Sequence, residues 1–153
     1  MKTLSSLIAA LILLSGCASL SGQAEANKLA EQKQLAAIIA KTGKSQVLIT
    51  DIPSANNFIS DQLIVASLKA GTMSSSAQAL LKVLQQAPAA TVAVNGKSSS
   101  VTAATVEAAL KRLAPLPANS QTVVLFVGDV AYTEKLRLAA APSGIKLETL
   151  QIP

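Results

Sequence analysis

Six consecutive residues, Thr122-Val123-Val124-Leu125-Phe126-Val127, carry no charge and are rich in β-branched side chains. Pro115 and Pro117 break the chain before them, and Gly128-Asp129 ends the run. A run this short and apolar fits a strand covered on both faces, a situation found mainly in parallel sheets flanked by helices. Gln46 to Ile52, closed by Pro53, reads as another strand covered on both faces, and Thr91 to Val94 as a further one. Ile145 to Ile152 reads as a last strand with partial alternation.

The stretches between these runs have helical length and spacing. From about Glu25 to Lys41 the residues favour helix, with Leu29, Leu35, Ala36, Ile39 and Ala40 on one side and Gly43 as a stop. Asn57 to Ala70 places Phe58, Ile59, Leu63, Ile64, Val65 and Leu68 all round a helical wheel, which predicts a buried helix closing at Gly71. Ser75 and Gln78 resemble a capping box, and Ala77, Leu80, Leu81 and Leu84 then keep helical spacing until Pro88. A serine run after Asn95-Gly96-Lys97 leads into a helix with Val106, Leu110 and Leu113 on one side, where Glu107 and Lys111 can pair across one turn. A further helix, about Thr133 to Ala140, is stopped by Pro142-Ser143-Gly144.

Strands separated by helices of this length pair in parallel through right-handed crossovers. The expected fold is a small three-layer α/β sandwich with about four mostly parallel strands, Rossmann-like or flavodoxin-like, preceded by an N-terminal helix. Strand order stays open, and no internal repeat stands out. At 153 residues there is room for one domain, and a composition of 50% hydrophobic and 14% charged residues suits a globular core.

Composition also closes several routes to function. Histidine is absent, which removes the usual general base, the Ser-His-Asp arrangement and the commonest transition-metal ligand. Cys17 is the single cysteine, so no internal disulfide and no thiolate zinc site can form. No cofactor or metal is therefore expected. The basic residues are dispersed and the aromatics are Phe58, Phe126 and Tyr132, so neither a basic stripe nor a stacking platform for nucleic acid emerges.

The start of the chain is an address. Met1-Lys2 precedes an apolar run from Leu7 to Leu14, then Ser15-Gly16-Cys17. A positive end and a short apolar core make an export signal, and the run is well short of the roughly 20 residues a spanning helix needs. Leu14-Ser15-Gly16-Cys17 resembles the lipobox of bacterial lipoproteins. That resemblance implies cleavage before Cys17, diacylglycerol on its thiol and acylation, for example by palmitate, of the new amino group. Two or three chains, at about 0.8 kcal/mol per buried methylene, make a lasting anchor. Ala18 in place of an aspartate implies, by resemblance to enterobacterial lipoproteins, an outer-membrane location facing the periplasm. The expected organisation is a signal peptide over 1–16, a lipidated tether over 17–25 and a single α/β domain over 26–153.

Candidate chemistry lies at the strand ends, where open parallel sheets usually meet ligands. Asp51, Asn95 and Asp129 stand there, although a capping role at the strand-to-helix turns explains them more simply. Gly96-Lys97-Ser98 occupies the place of a phosphate-binding loop, but the glycine a full motif needs is replaced by Thr91, and Asn95-Gly96 reads more naturally as a turn. Serines 74–76 and 98–100 read as helix starts, and Tyr132 as a buried cover for the sheet end. Two functional readings follow. One is a non-enzymatic envelope lipoprotein that binds a protein partner as an accessory or assembly factor. The other is a small-ligand or anion binder, or a carboxylate-based enzyme, using Asp51, Asn95, Lys97, Ser98 and Asp129.

Overall fold

A computed structural model describes residues 32–43, 47–55, 57–87, 89–117 and 121–151. The expected signal peptide, Cys17 and the expected tether lie outside them. The chain divides into two compact units, Met1–Ala37 and Ile38–Pro153. In the first, residues 32–37 are helical; the helix, α1, runs over residues 32–42 and so begins the second unit. Gly43 ends it at φ +62°, donating its N–H to the Ile39 carbonyl at 2.9 Å.

The second unit contains four strands, β1 (Leu48–Ile52), β2 (Thr91–Gly96), β3 (Val123–Val127) and β4 (Lys146–Leu150). The helices are α2 (Phe58–Lys69), α3 (Ser75–Gln86), α4 (Ser99–Arg112) and α5 (Thr133–Ala140). All pairs are parallel, in the order β1-β2-β3-β4, with Leu48 opposite Val92, Val92 opposite Val124 and Val124 opposite Leu147. The chain is α/β, as the alternation of runs and spacings predicts.

Strands that follow chain order have a consequence for the layers. With right-handed crossovers, every connecting helix falls on the same face of such a sheet. Side-chain alternation along the strands agrees. Val92, Val94, Val124 and Phe126 belong to the larger core, shared with α2, α3, α4 and α5. Ala93, Leu125 and Val127 point the other way into a smaller cluster closed by Ile38 of α1. On the larger side, α4 is buried almost all round its circumference, with α2, α3 and α5 all packed against it. The Arg112 guanidinium ties α4 to the end of α2 through a 2.9 Å hydrogen bond to the Gly71 carbonyl.

Four local expectations are corrected. β1 is an edge strand, so Leu48 and Ile49 are exposed where coverage on both faces was expected. α2 is a helix but not a buried one: Val65 and Leu68 alone are fully covered, and Phe58, Ile59 and Leu63 face solvent. Asn95-Gly96 is no turn, because both residues continue β2 and pair with Asp51 and Ile52. The capping residue of α3 is also one place earlier than expected, Ser74, whose Oγ accepts from the Ala77 N–H at 3.1 Å.

Candidate functional site

The strand-end residues separate by face. Asp51 and Asn95 are register partners on β1 and β2. Alternation with Ala93 puts them on the α1 side of the sheet. Asp51 is exposed, and the Asn95 Oδ1 is buried without a hydrogen-bond partner among the described residues. Lys97 is exposed beyond β2, and Ser98 leads into α4 on the opposite face. The Ser98 hydroxyl lies 3.1 Å from that of Ser100, and its carbonyl accepts from Thr102 Oγ1 at 2.9 Å. The carboxylate of Asp129 caps the turn after β3, accepting the Ala131 N–H at 2.9 Å, while its own N–H donates to Ser99 Oγ at 3.2 Å.

Gly96 has a structural reason to be glycine. A Cβ there would stand 2.5 Å from both the Ile52 carbonyl oxygen and Thr102 Oγ1. It sits inside a paired strand, with no left-handed turn. Close packing of α4 on the sheet therefore accounts for it without a phosphate cradle.

A different site is present between the helices. A cavity of about 150 Å³ lies between α2 and α5, floored by α4. Small side chains at Ser100, Ala103 and Ala104 keep the floor low. Gln62, Val65 and Lys69 of α2 form one wall; Lys135 and Leu136 of α5, with Tyr132 before them, form the other. Tyr132 is held edge-on to Phe126, ring centres 6.4 Å apart, so the core fixes this rim.

Glu107 is the buried charge of this cavity, its side chain 10% exposed. Oε1 binds Lys111 Nζ at 2.7 Å and Oε2 binds Lys135 Nζ at 2.6 Å. Burial pushes its carboxyl pKa up, but hydrogen bonds from Lys111 and Lys135, with the charges of both, outweigh this and hold it below the ordinary carboxylate range. Glu107 is thus an ionised, doubly bound anion and a poor general acid. Lys69 forms no ion pair among the described residues.

Among the described residues no group of three potential metal-ligating side chains occurs, and no helix is long and apolar enough to cross a membrane. The i,i+4 pairing of Glu107 with Lys111 was legible in the sequence. The convergence of Gln62, Lys69 and Lys135 on it was not, because it depends on how α2 and α5 lie over α4. No family model, no curated protein and no solved structure matches this chain.

Proposed function

We propose that this chain is a lipid-anchored protein of the bacterial envelope, acylated at Cys17, that binds a protein partner as an accessory or assembly factor and performs no chemistry of its own. Its expected place is the outer membrane, facing the periplasm. The lipobox-like Leu14-Ser15-Gly16-Cys17 supports the anchor. One observation carries the partner: Phe58, Ile59 and Leu63 of α2 are 77%, 74% and 65% exposed. Exposed large side chains gathered on one helix mark an interaction surface, because a folding core has no use for them there. The lack of histidine favours binding over hydrolytic chemistry.

The test has two arms. Wild-type protein should incorporate labelled palmitate and fractionate with membranes, and Cys17→Ser should abolish both; unchanged processing and fractionation in Cys17→Ser would remove the anchor from the account. Crosslinking in intact cells should yield one specific adduct that is lost in the Ile59→Ser, Leu63→Ser double variant.

A second reading rests on Asn95, whose buried acceptor beside the Asp51 carboxylate suits a small ligand bearing N–H donors. Thermal shifts against a panel of small amines test it. A shift that disappears in Asn95→Ala supports the ligand, and no shift with any amine removes it.

A further inference from the structure

The cavity shares one line of α2 with exposed Phe58, whereas exposed Ile59 and Leu63 face roughly 100° or more further round the helix. Phe58, Gln62, Val65 and Lys69 recur at i, i+4, i+7 and i+11, which is a single line along a helix. Three of them wall the cavity, and Phe58 continues that wall outward into solvent. Val130, which is exposed, stands two residues before Tyr132 of the opposite wall. Exposed apolar side chains therefore stand beside a groove whose lining mixes charged and polar groups with apolar ones.

Charge in this groove is unbalanced. Lys69 and Lys135 line the groove with one carboxylate, that of Glu107, so positive charge exceeds negative by one, and Lys111 binds that carboxylate as well. Both Glu107 oxygens are occupied, so the excess is carried by Lys69 and by the remaining N–H groups of Lys135. An occupant with a carboxylate would meet donors from both walls. Size narrows the class further. About 150 Å³ is half or less of the roughly 300–1,000 Å³ of sites for cofactors and drug-sized ligands, and suits one inserted side chain.

We propose that the groove between α2 and α5 is the docking site for a segment of the protein partner that carries an acidic side chain among apolar ones. The carboxylate enters between Lys69 and Lys135, and the flanking apolar residues lie on Phe58 and Val130. This rests on the reading that a protein partner exists, and it adds which surface is used and what the partner presents.

The experiment places a photoreactive benzophenone side chain at Gln62, in the groove, or at Lys146, exposed on β4, in the full acylated chain. Cells are irradiated intact and the adducts mapped by mass spectrometry. The expected result is an adduct from position 62 to a protein segment holding Asp or Glu among apolar residues. Lys69→Glu should lower its yield at least roughly tenfold, as charge reversal at a matched pair requires, and Lys69→Arg should retain it. Thermal melting of Lys69→Glu, lowered only slightly by losing a cation from the last turn of α2, separates docking from folding. An adduct from position 62 to phospholipid, or to a second copy of this chain, overturns the proposal. So does a yield indifferent to Lys69→Glu. Protein adducts from position 146 alone overturn the groove and leave the partner reading standing, whereas no protein adduct from either position removes both.

Discussion

Lys135 Nζ lies 2.6 Å from Glu107 Oε2, so an ion pair clamps the first turn of α5 to the middle of α4. Glu107 is nearly covered while Lys135 and Lys111 remain more than half exposed, which makes the glutamate the member that cannot be lost cheaply. Glu107→Gln should cost about 1.5–3 kcal/mol at neutral pH in urea denaturation, the range for hydrogen bonds to charged groups. Lys111→Ala should cost only about 0.2–1 kcal/mol, because Lys135 still binds the carboxylate. The folded carboxyl titrates below its unfolded range, so its contribution is complete above the ordinary carboxylate range and is lost as pH falls through the folded value. The gap between wild type and Glu107→Gln should accordingly close on acidification. A gap of constant size would mean that the charge of Glu107 contributes nothing.

Ile38 is buried against Ala93, Leu125 and Val127, whereas its neighbour Ile39 is 42% exposed. That contrast is a direct test of how the second face of the sheet is closed. Ile38→Ala should cost about 2–5 kcal/mol, as buried aliphatic truncations do. Ile39→Ala should fall within about 0.5 kcal/mol of wild type. Equal effects from the two substitutions would show that α1 is not seated on the sheet through Ile38.

The sequence carried the fold because its strongest signals were local. Thr122 to Val127 is apolar at every other position on both faces, and the structure buries both sets, Val124 with Phe126 and Leu125 with Val127, in two cores. Local pattern also placed α5 at Thr133–Ala140. What stayed hidden was set by strand order. Gln46 to Ile52 has the composition of an interior strand, yet its place at the sheet edge leaves Leu48 and Ile49 uncovered. The apolar residues of α2 were read as core for a similar reason. A helical wheel records which side chains are apolar, and only tertiary packing records which of them meet α4. The proposed role of Cys17 belongs to another category, since it would come from processing chemistry and not from the folded unit.

Gly96 faces a backbone oxygen and a side-chain hydroxyl that a methyl group would strike. Gly96→Ala should destabilise by about 1–3 kcal/mol through overpacking, read as a lower urea midpoint. Adding Thr102→Ala should recover part of this at most. The Thr102 Oγ1 can be removed, but the Ile52 carbonyl, 2.5 Å from the added Cβ, belongs to the neighbouring strand and cannot rotate away. Had this glycine served to cradle an anion, substitution would leave folding nearly unchanged, so an unaltered midpoint would reopen that role.

Leu68 and Leu63 lie on the same helix but in opposite environments, the first buried in the core and the second facing solvent. Leu68→Ala should cost about 2–5 kcal/mol. Leu63→Ser and Ile59→Ser should each stay within about 0.5 kcal/mol of wild type, because both side chains are mostly exposed. The same pair should nevertheless reduce partner crosslinking in cells. This dissociation separates a binding surface from a folding one, since apolar side chains retained at no gain in stability are spent on something outside the domain. If the Ile59→Ser, Leu63→Ser variant instead melted as early as Leu68→Ala, these side chains would be covered within the chain itself, and α2 would lose its claim to be the docking face.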